Sequence, residues 1–254
     1  MVIIDFYKTN EFYFYISTSR PWRSFDMQWF NMKKLISFCV WGDDPKYCVG
    51  AIKNALLAKQ IYPDWICRYH CDKSVPKDII EKLKNLDNVE ILMFENCNNW
   101  KFTTSRLFPL DDPDIEYIIF RDTDSRLSYR EKAAVDEWML SGKSAHIMKD
   151  HLWHGGFPIL AGLFGIKCGI IKNITDKLNN FQIDEQYHYD QIFIKDEIYP
   201  FIKDDCIIHD EIFDKKPFPT KRLNNEFVGQ VLDENDIVNS YHQLVLEQYL
   251  NENK

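Results

Sequence analysis

Apolar positions along this chain fall into two rhythms, continuous short runs and helix-spaced stripes. The run LISFCVW at 35–41 ends at Gly42-Asp43-Asp44-Pro45, which reads as a buried strand and a turn. Asp44 can cap a helix with Pro45 at its first position, and Cys48, Ala51, Ile52, Ala55 and Leu56 recur on one helical face. Trp65 to Tyr69 reads as the next strand, Pro76 to Leu86 as a helix with Ile79, Ile80 and Leu83 on one side, and Val89 to Phe94 as a third strand. This βαβαβ order predicts an α/β fold with a mainly parallel central sheet flanked by helices.

The run IEYIIF at 115–120 predicts a further buried strand, and it ends abruptly in Asp122 and Asp124, flanked by Arg121 and Arg126. Residues at i and i+2 of an extended segment point the same way, so both carboxylates can reach one hard divalent cation. Ser128 and Glu131 then form a capping box for a helix through Ala134, Val135, Trp138 and Met139, which holds the acidic loop from behind. Beyond it the order changes. A strand at Ala145 to Met148, the loop HLWHGGFP, the Gly-punctuated stretch ILAGLFGIK and a helix around Asp190 to Ile198 suggest a ligand-specific second half. Cys206 to Ile208 reads as a last strand leading to His209, followed by an irregular tail.

Composition narrows the function. At 254 residues and 45% hydrophobic content the chain supports one substantial core, read as a single domain over 34–254. Residues 1–33 are aromatic and patterned differently, and are expected to form an extension packed on that core. A net charge of -8 argues against general nucleic-acid binding, which relies on a basic surface. Seven cysteines without paired CxxC spacing speak against a zinc ribbon or disulfide framework and for a reducing, cytoplasmic setting. No apolar run is long enough for a membrane span.

Four polar features fall at predicted carboxyl ends of strands, where open α/β sheets bind ligands: 42–44, 121–126, 149–156 and His209. The first turn lacks both G-x-G-x-x-G and G-x-x-x-x-G-K-[ST], so a phosphate must be held some other way, and a metal clamped by Asp122 and Asp124 would do so. Arg106 is a candidate for a donor phosphate or sugar, or for an ion pair with nearby acids. In the loop at 149–156, Asp150 or His151 could serve as a base for an acceptor hydroxyl, and Trp153 and Phe157 could stack on a sugar ring. A zinc site on the histidines is the weaker alternative, because no cysteine stands at ligand spacing.

FRDTDSRLSYREKAAVDEW at 120–138, with HIMKDHLWHGG, ILAGLFGIK, YDQIFI and the His-Asp pair at 209, resembles glycosyltransferases of the GT-A (Rossmann-like) fold. The likeness is to glycogenin-like transferases and to an uncharacterised group carrying RDxDSRxxxRExxAVxxW. It implies Mn2+ or Mg2+ on Asp122 and Asp124, with His209 completing the metal site. It also implies that Trp41, Gly42, Asp43 and Tyr47 hold the base and ribose of a nucleoside-diphosphate sugar, a UDP-sugar above all. Arg121 and Arg106 would lie near the donor, Asp190 would contact its sugar or simply cap a helix, and Lys216 would close over the diphosphate. The glycine that usually precedes that Lys-Pro pair is missing from HDEIFDKKP.

The expected activity is thus metal-dependent transfer of a sugar to a hydroxyl-bearing acceptor. A haloacid dehalogenase-type phosphohydrolase would want Thr or Val where Arg126 stands, and a sugar nucleotidyltransferase would want a basic Gly-rich loop in place of GDDPKY. A non-catalytic carbohydrate-binding protein of the same fold is the remaining alternative.

Overall fold

The computed structural model describes residues 32–95, 97, 99–184 and 186–253. The N-terminal extension expected to pack on the core lies almost wholly outside them. One seven-stranded sheet is built from β1 (Lys33–Val40), β2 (Trp65–Asp72), β3 (Val89–Phe94), β4 (Ile115–Phe120), β5 (Ala145–Lys149), β6 (Phe164–Lys167) and β7 (Cys206–Asp210). Their order across the sheet is β3-β2-β1-β4-β6-β5-β7. Every neighbouring pair is parallel except the two that β6 makes with β4 and β5. The α/β reading with a mainly parallel sheet therefore holds, and β6 is the antiparallel strand inserted by ILAGLFGIK.

Helices cover both faces. On one side lie α1 (Pro45–Ile61), α2 (Lys77–Lys84) and α3 (Tyr129–Ser141), whose stripes meet Ile36, Phe38, Val40 and Tyr69 in one core. Asp44 caps α1 by accepting from the Lys46 amide, and Ser128 caps α3 by accepting from the Glu131 amide. Leu56, expected on the buried face of α1, is exposed instead; Asn54 takes the inner position.

On the other side, a 3-10 segment at Trp100–Asp111 packs with α4 (Ile174–Asn180) and α5 (Tyr189–Phe193). A π turn at Ile194–Ile198 runs from α5 into α6 (Tyr199–Ile202), and Phe193, Ile194, Ile198 and Ile202 bury against Ile118, Phe120 and Phe164. The tail is irregular from 211 to 239 and then forms α7 (Ser240–Glu252). All seven cysteines are free thiols. Among the described residues no helix is long and apolar enough to cross a membrane.

Candidate active site

The sheet order reverses between β1 and β4, because β2 and β3 extend one way from β1 and the remaining strands the other way. In open α/β sheets the crevice at that switch point, outside the carboxyl ends of the strands, is where ligands bind. β1 delivers Trp41 and Gly42 there, and β4 delivers Asp122 and Asp124.

Three elements shape the acidic loop. Asn54, buried on α1, donates to the carbonyls of Thr123 (3.4 Å) and Ser125 (2.8 Å) and accepts from the Leu127 amide at 3.0 Å. Gly50, one turn earlier, lies so close that a Cβ there would come within 2.0 Å of the Thr123 carbonyl oxygen. From the tail, the Leu232 amide donates to the Asp124 carbonyl at 2.7 Å. Arg126 reaches the Asp233 carbonyl at 2.9 Å and Asp236 at 2.9 Å, and Lys53 of α1 binds the same Asp236 at 2.6 Å.

Inside this frame Arg106, buried and presented by the 3-10 segment, bridges two carboxylates. Its Nη1 donates to Asp122 at 2.6 Å and its Nη2 to Asp190 at 3.3 Å, while Nε donates to the Thr103 carbonyl at 3.0 Å. Burial works against the guanidinium charge, but the Asp122 and Asp190 carboxylates outweigh it and raise its pKa. Asp190 is itself pushed up by burial, with Arg106 pulling the other way. The next residue, Gln191, accepts from the Ala161 amide at 3.0 Å and so ties α5 to the turn bearing Gly162. A Cβ on Gly162 would stand 2.0 Å from Asp122 Oδ2, so only glycine leaves that carboxylate room. Asp124 meets Lys46 of α1 at 3.2 Å, and burial followed by repulsion from Asp122 raises its pKa.

Other expected residues lie around or outside this centre. Tyr47 carries the Lys46 ammonium 4.2 Å from its ring centroid. Trp41 packs edge-on against Trp100 at 5.4 Å, Gly42 takes φ +75 and donates to Ser74, and Asp43 is exposed. Of the three basic residues expected at the donor, Arg106 lies in the centre, whereas Arg121 and Lys216 are engaged by other partners. Arg121 is buried beneath the loop, donating to Glu131 at 2.7 Å and to the Phe120 and Phe164 carbonyls, so it holds α3 to the sheet and is not a cofactor contact. Lys216 forms a backbone bridge with Asp210 beyond β7, and its ammonium faces Asp214 at 3.2 Å.

Three expectations are corrected. Asp150 is fully buried and accepts from Arg130 twice at 3.0 Å, from Arg222 at 2.6 Å and from the Val228 amide at 2.9 Å, so no lone pair is left for a base. His151 accepts from the Trp153 amide through Nδ1, which leaves the proton on Nε2 to donate to the His242 carbonyl at 3.0 Å; it is a buried cap stacked on Phe227. His209 shares a 2.8 Å hydrogen bond with His146 and lies 3.7 Å from Glu137 of α3, and burial lowers its pKa. Among the described residues no three His, Cys, Asp or Glu side chains gather as a metal-ligand set, so His209 does not complete one with the two acids.

Lys46, Gly50, Asn54 and Gly162 also shape this centre, although no sequence motif marks them. A glycine and an asparagine on the apolar stripe of α1 were the visible signal for two of them.

No protein-family profile matches the chain, and no curated protein matches it either. Solved structures do. A glycosyltransferase involved in the glycosylation of the major capsid of PBCV-1 is 17% identical, with a TM-score of 0.47 over 70% of this chain and 82% of that one. A 4-diphosphocytidyl-2C-methyl-D-erythritol synthase from Anaerococcus prevotii is 12% identical, with a TM-score of 0.43 over 86% of this chain and 99% of that one.

Proposed function

We propose that this chain is a GT-A glycosyltransferase that moves a sugar from a nucleoside-diphosphate sugar, a UDP-sugar above all, to a hydroxyl-bearing acceptor. The observation that carries the reading is the position of Asp122 and Asp124 at the sheet's switch point, facing an Arg106–Asp190 pair across the crevice. The donor set suits a hard divalent ion. Two carboxylates of an all-oxygen kind stand together, their repulsion is felt at Asp124, and Gly162 leaves space beside Asp122. Mg2+ and Mn2+ need no more protein ligands than these when diphosphate and water oxygens fill the remaining positions.

Asp122 and Asp124 would hold that ion, which when bound supplies positive charge for a departing nucleoside diphosphate. Trp41 directly follows β1 in sequence and Tyr47 stands at the start of α1, and both would offer ring surface to a base. Asp190, fixed by Arg106, is the carboxylate that accepts hydrogen bonds from donor-sugar hydroxyls. Arg106 aims both acids, since its charge-assisted bonds reach both.

Thermal stability measured with UDP, GDP, CDP and dTDP, each with and without Mn2+, tests the proposal. A rise for one nucleotide that requires the metal is expected, because a ligand that binds only the native state stabilises it. No rise with any nucleotide refutes the reading and turns attention to phosphatase activity.

A further inference from the structure

A line of aromatic rings runs along the crevice, on the same elements that carry its charged groups. Trp41, at the end of β1, contacts Trp100 edge-on with centroids 5.4 Å apart. Trp100, at the start of the 3-10 segment bearing Arg106, contacts Tyr187 edge-on at 5.0 Å. Tyr187 leans on His188 at 3.9 Å, and His188 meets Phe157 at 5.6 Å. Two residues beyond His188 stands Asp190. The chain places two of these rings outward: Tyr187 is 64% exposed and Trp100 is 38% exposed.

Such exposure would be unremarkable for scattered residues, but these rings touch one another, and His188 within the line holds a left-handed backbone at φ 70. Trp153, the other aromatic expected to stack on a sugar, faces Tyr241 and His242 of α7 and is not part of it. An exposed ring face set among polar side chains favours a ligand that is apolar on one flat side and hydroxylated at its edges. A pyranose ring has that character: its axial C–H groups meet the negative face of the ring, and its hydroxyls remain free for imidazole and solvent.

We propose that Trp100, Tyr187 and His188, continued by Phe157, form the acceptor subsite and bind the pyranose ring of a glycan or glycoside. This rests on the transferase reading above, and places the acceptor on the Asp190 side of the crevice with the base on the Trp41 side. The acceptor's hydroxyl then approaches the donor sugar from the rim, without help from the loop at 149–156.

The test uses the full chain and two independent readouts. Saturation-transfer NMR follows the methyl α- and β-glycosides of glucose, galactose, mannose and N-acetylglucosamine, while thermal shift follows UDP with Mn2+. At least one glycoside is expected to take up saturation from the wild-type protein. Tyr187→Ala should reduce that signal at least about fivefold, Tyr187→Phe should restore it, and the nucleotide shift should persist in both. Absence of signal from every glycoside overturns the proposal, as does an unchanged signal in Tyr187→Ala. Loss of the nucleotide shift in Tyr187→Ala also overturns it, since the rim would then belong to the base. A Tyr187-dependent glycoside signal with no nucleotide shift in the wild type sinks the transferase reading and leaves the ring-binding site standing.

Discussion

Replacing Gly162 with alanine is the sharpest perturbation of the acidic centre, because it adds one methyl group and removes no functional atom. Gly162 is buried, and its added Cβ would lie 2.0 Å from Asp122 Oδ2 and 2.6 Å from Asp122 Cγ. The Asp122 carboxylate must rotate away and give up its 2.6 Å bond to Arg106, leaving that buried guanidinium with Asp190. A charge-assisted bond contributes ~1.5–3 kcal/mol. Here the lower end applies, since the Asp122 side chain is 47% exposed and solvent takes up part of the loss. Gly→Ala returns about 0.4–1 kcal/mol by restricting the unfolded chain. The net cost is then on the order of 1 kcal/mol, or a fall in Tm of roughly 2–4 °C for a domain of this size.

Function should suffer far more than stability. Misdirecting one of two carboxylates is expected to weaken Mn2+-dependent nucleotide binding at least about tenfold, the lower bound seen when even an outer-shell partner of a metal is lost. Calorimetric titration of UDP with Mn2+ into Gly162→Ala, beside a denaturation curve, separates the two effects. Full nucleotide affinity in a folded Gly162→Ala protein would refute the role given to Asp122.

Asp150→Asn should cost about 3–5 kcal/mol in urea unfolding, because Arg130 and Arg222 are left sharing a neutral acceptor; an unchanged urea midpoint would contradict the structural role and reopen Asp150 as a base. Lys46→Met removes the cation 3.2 Å from Asp124 and should tighten Mn2+ binding without nucleotide, read by the electron paramagnetic resonance of free Mn2+; weaker binding would contradict the view that ammonium and metal compete. Burial lowers His70 and His154 to about 3, so both stay neutral in the fold while the unfolded chain takes up protons below its usual value of 6.5. Their contribution is present above pH 6.5 and is lost as pH falls from 6.5 toward 3, at up to about 1.4 kcal/mol per pH unit for each. His70→Phe should flatten the urea midpoint over pH 5–7, and an unchanged slope would mean that His70 is not held neutral.

The strands of the first half were legible because each is a short buried run bounded by turn residues, and the Ser128–Glu131 capping box marked α3 directly. The loop acids were legible for the same reason: nothing apolar follows Phe120. What escaped notice depends on partners far along the chain. The 3-10 segment has weak periodicity and is fixed by contacts such as Ser37 Oγ donating to the Arg106 carbonyl at 2.7 Å. Asp150 and His151 look reactive in a loop of histidines and glycines, yet their character is set by Arg130, Arg222 and His242, all distant in sequence. His209 follows an apolar strand as a ligand might, but the side chain waiting for it is His146 on the adjacent strand.

The staple between the acidic loop and the segment at 232–236 bears on the order in which the molecule becomes competent. The seven strands are complete by Asp210, so the sheet can form while the tail is still emerging from the ribosome. Arg126, the Asp124 carbonyl and Lys53 find their partners only when Leu232, Asp233 and Asp236 arrive. With Leu232, Asp233 and Asp236 undocked, the seven strands would still be present while the acids stayed loosely held. Ordering of the acidic loop thereby waits for residues 232–236, however early the strands that carry it have paired.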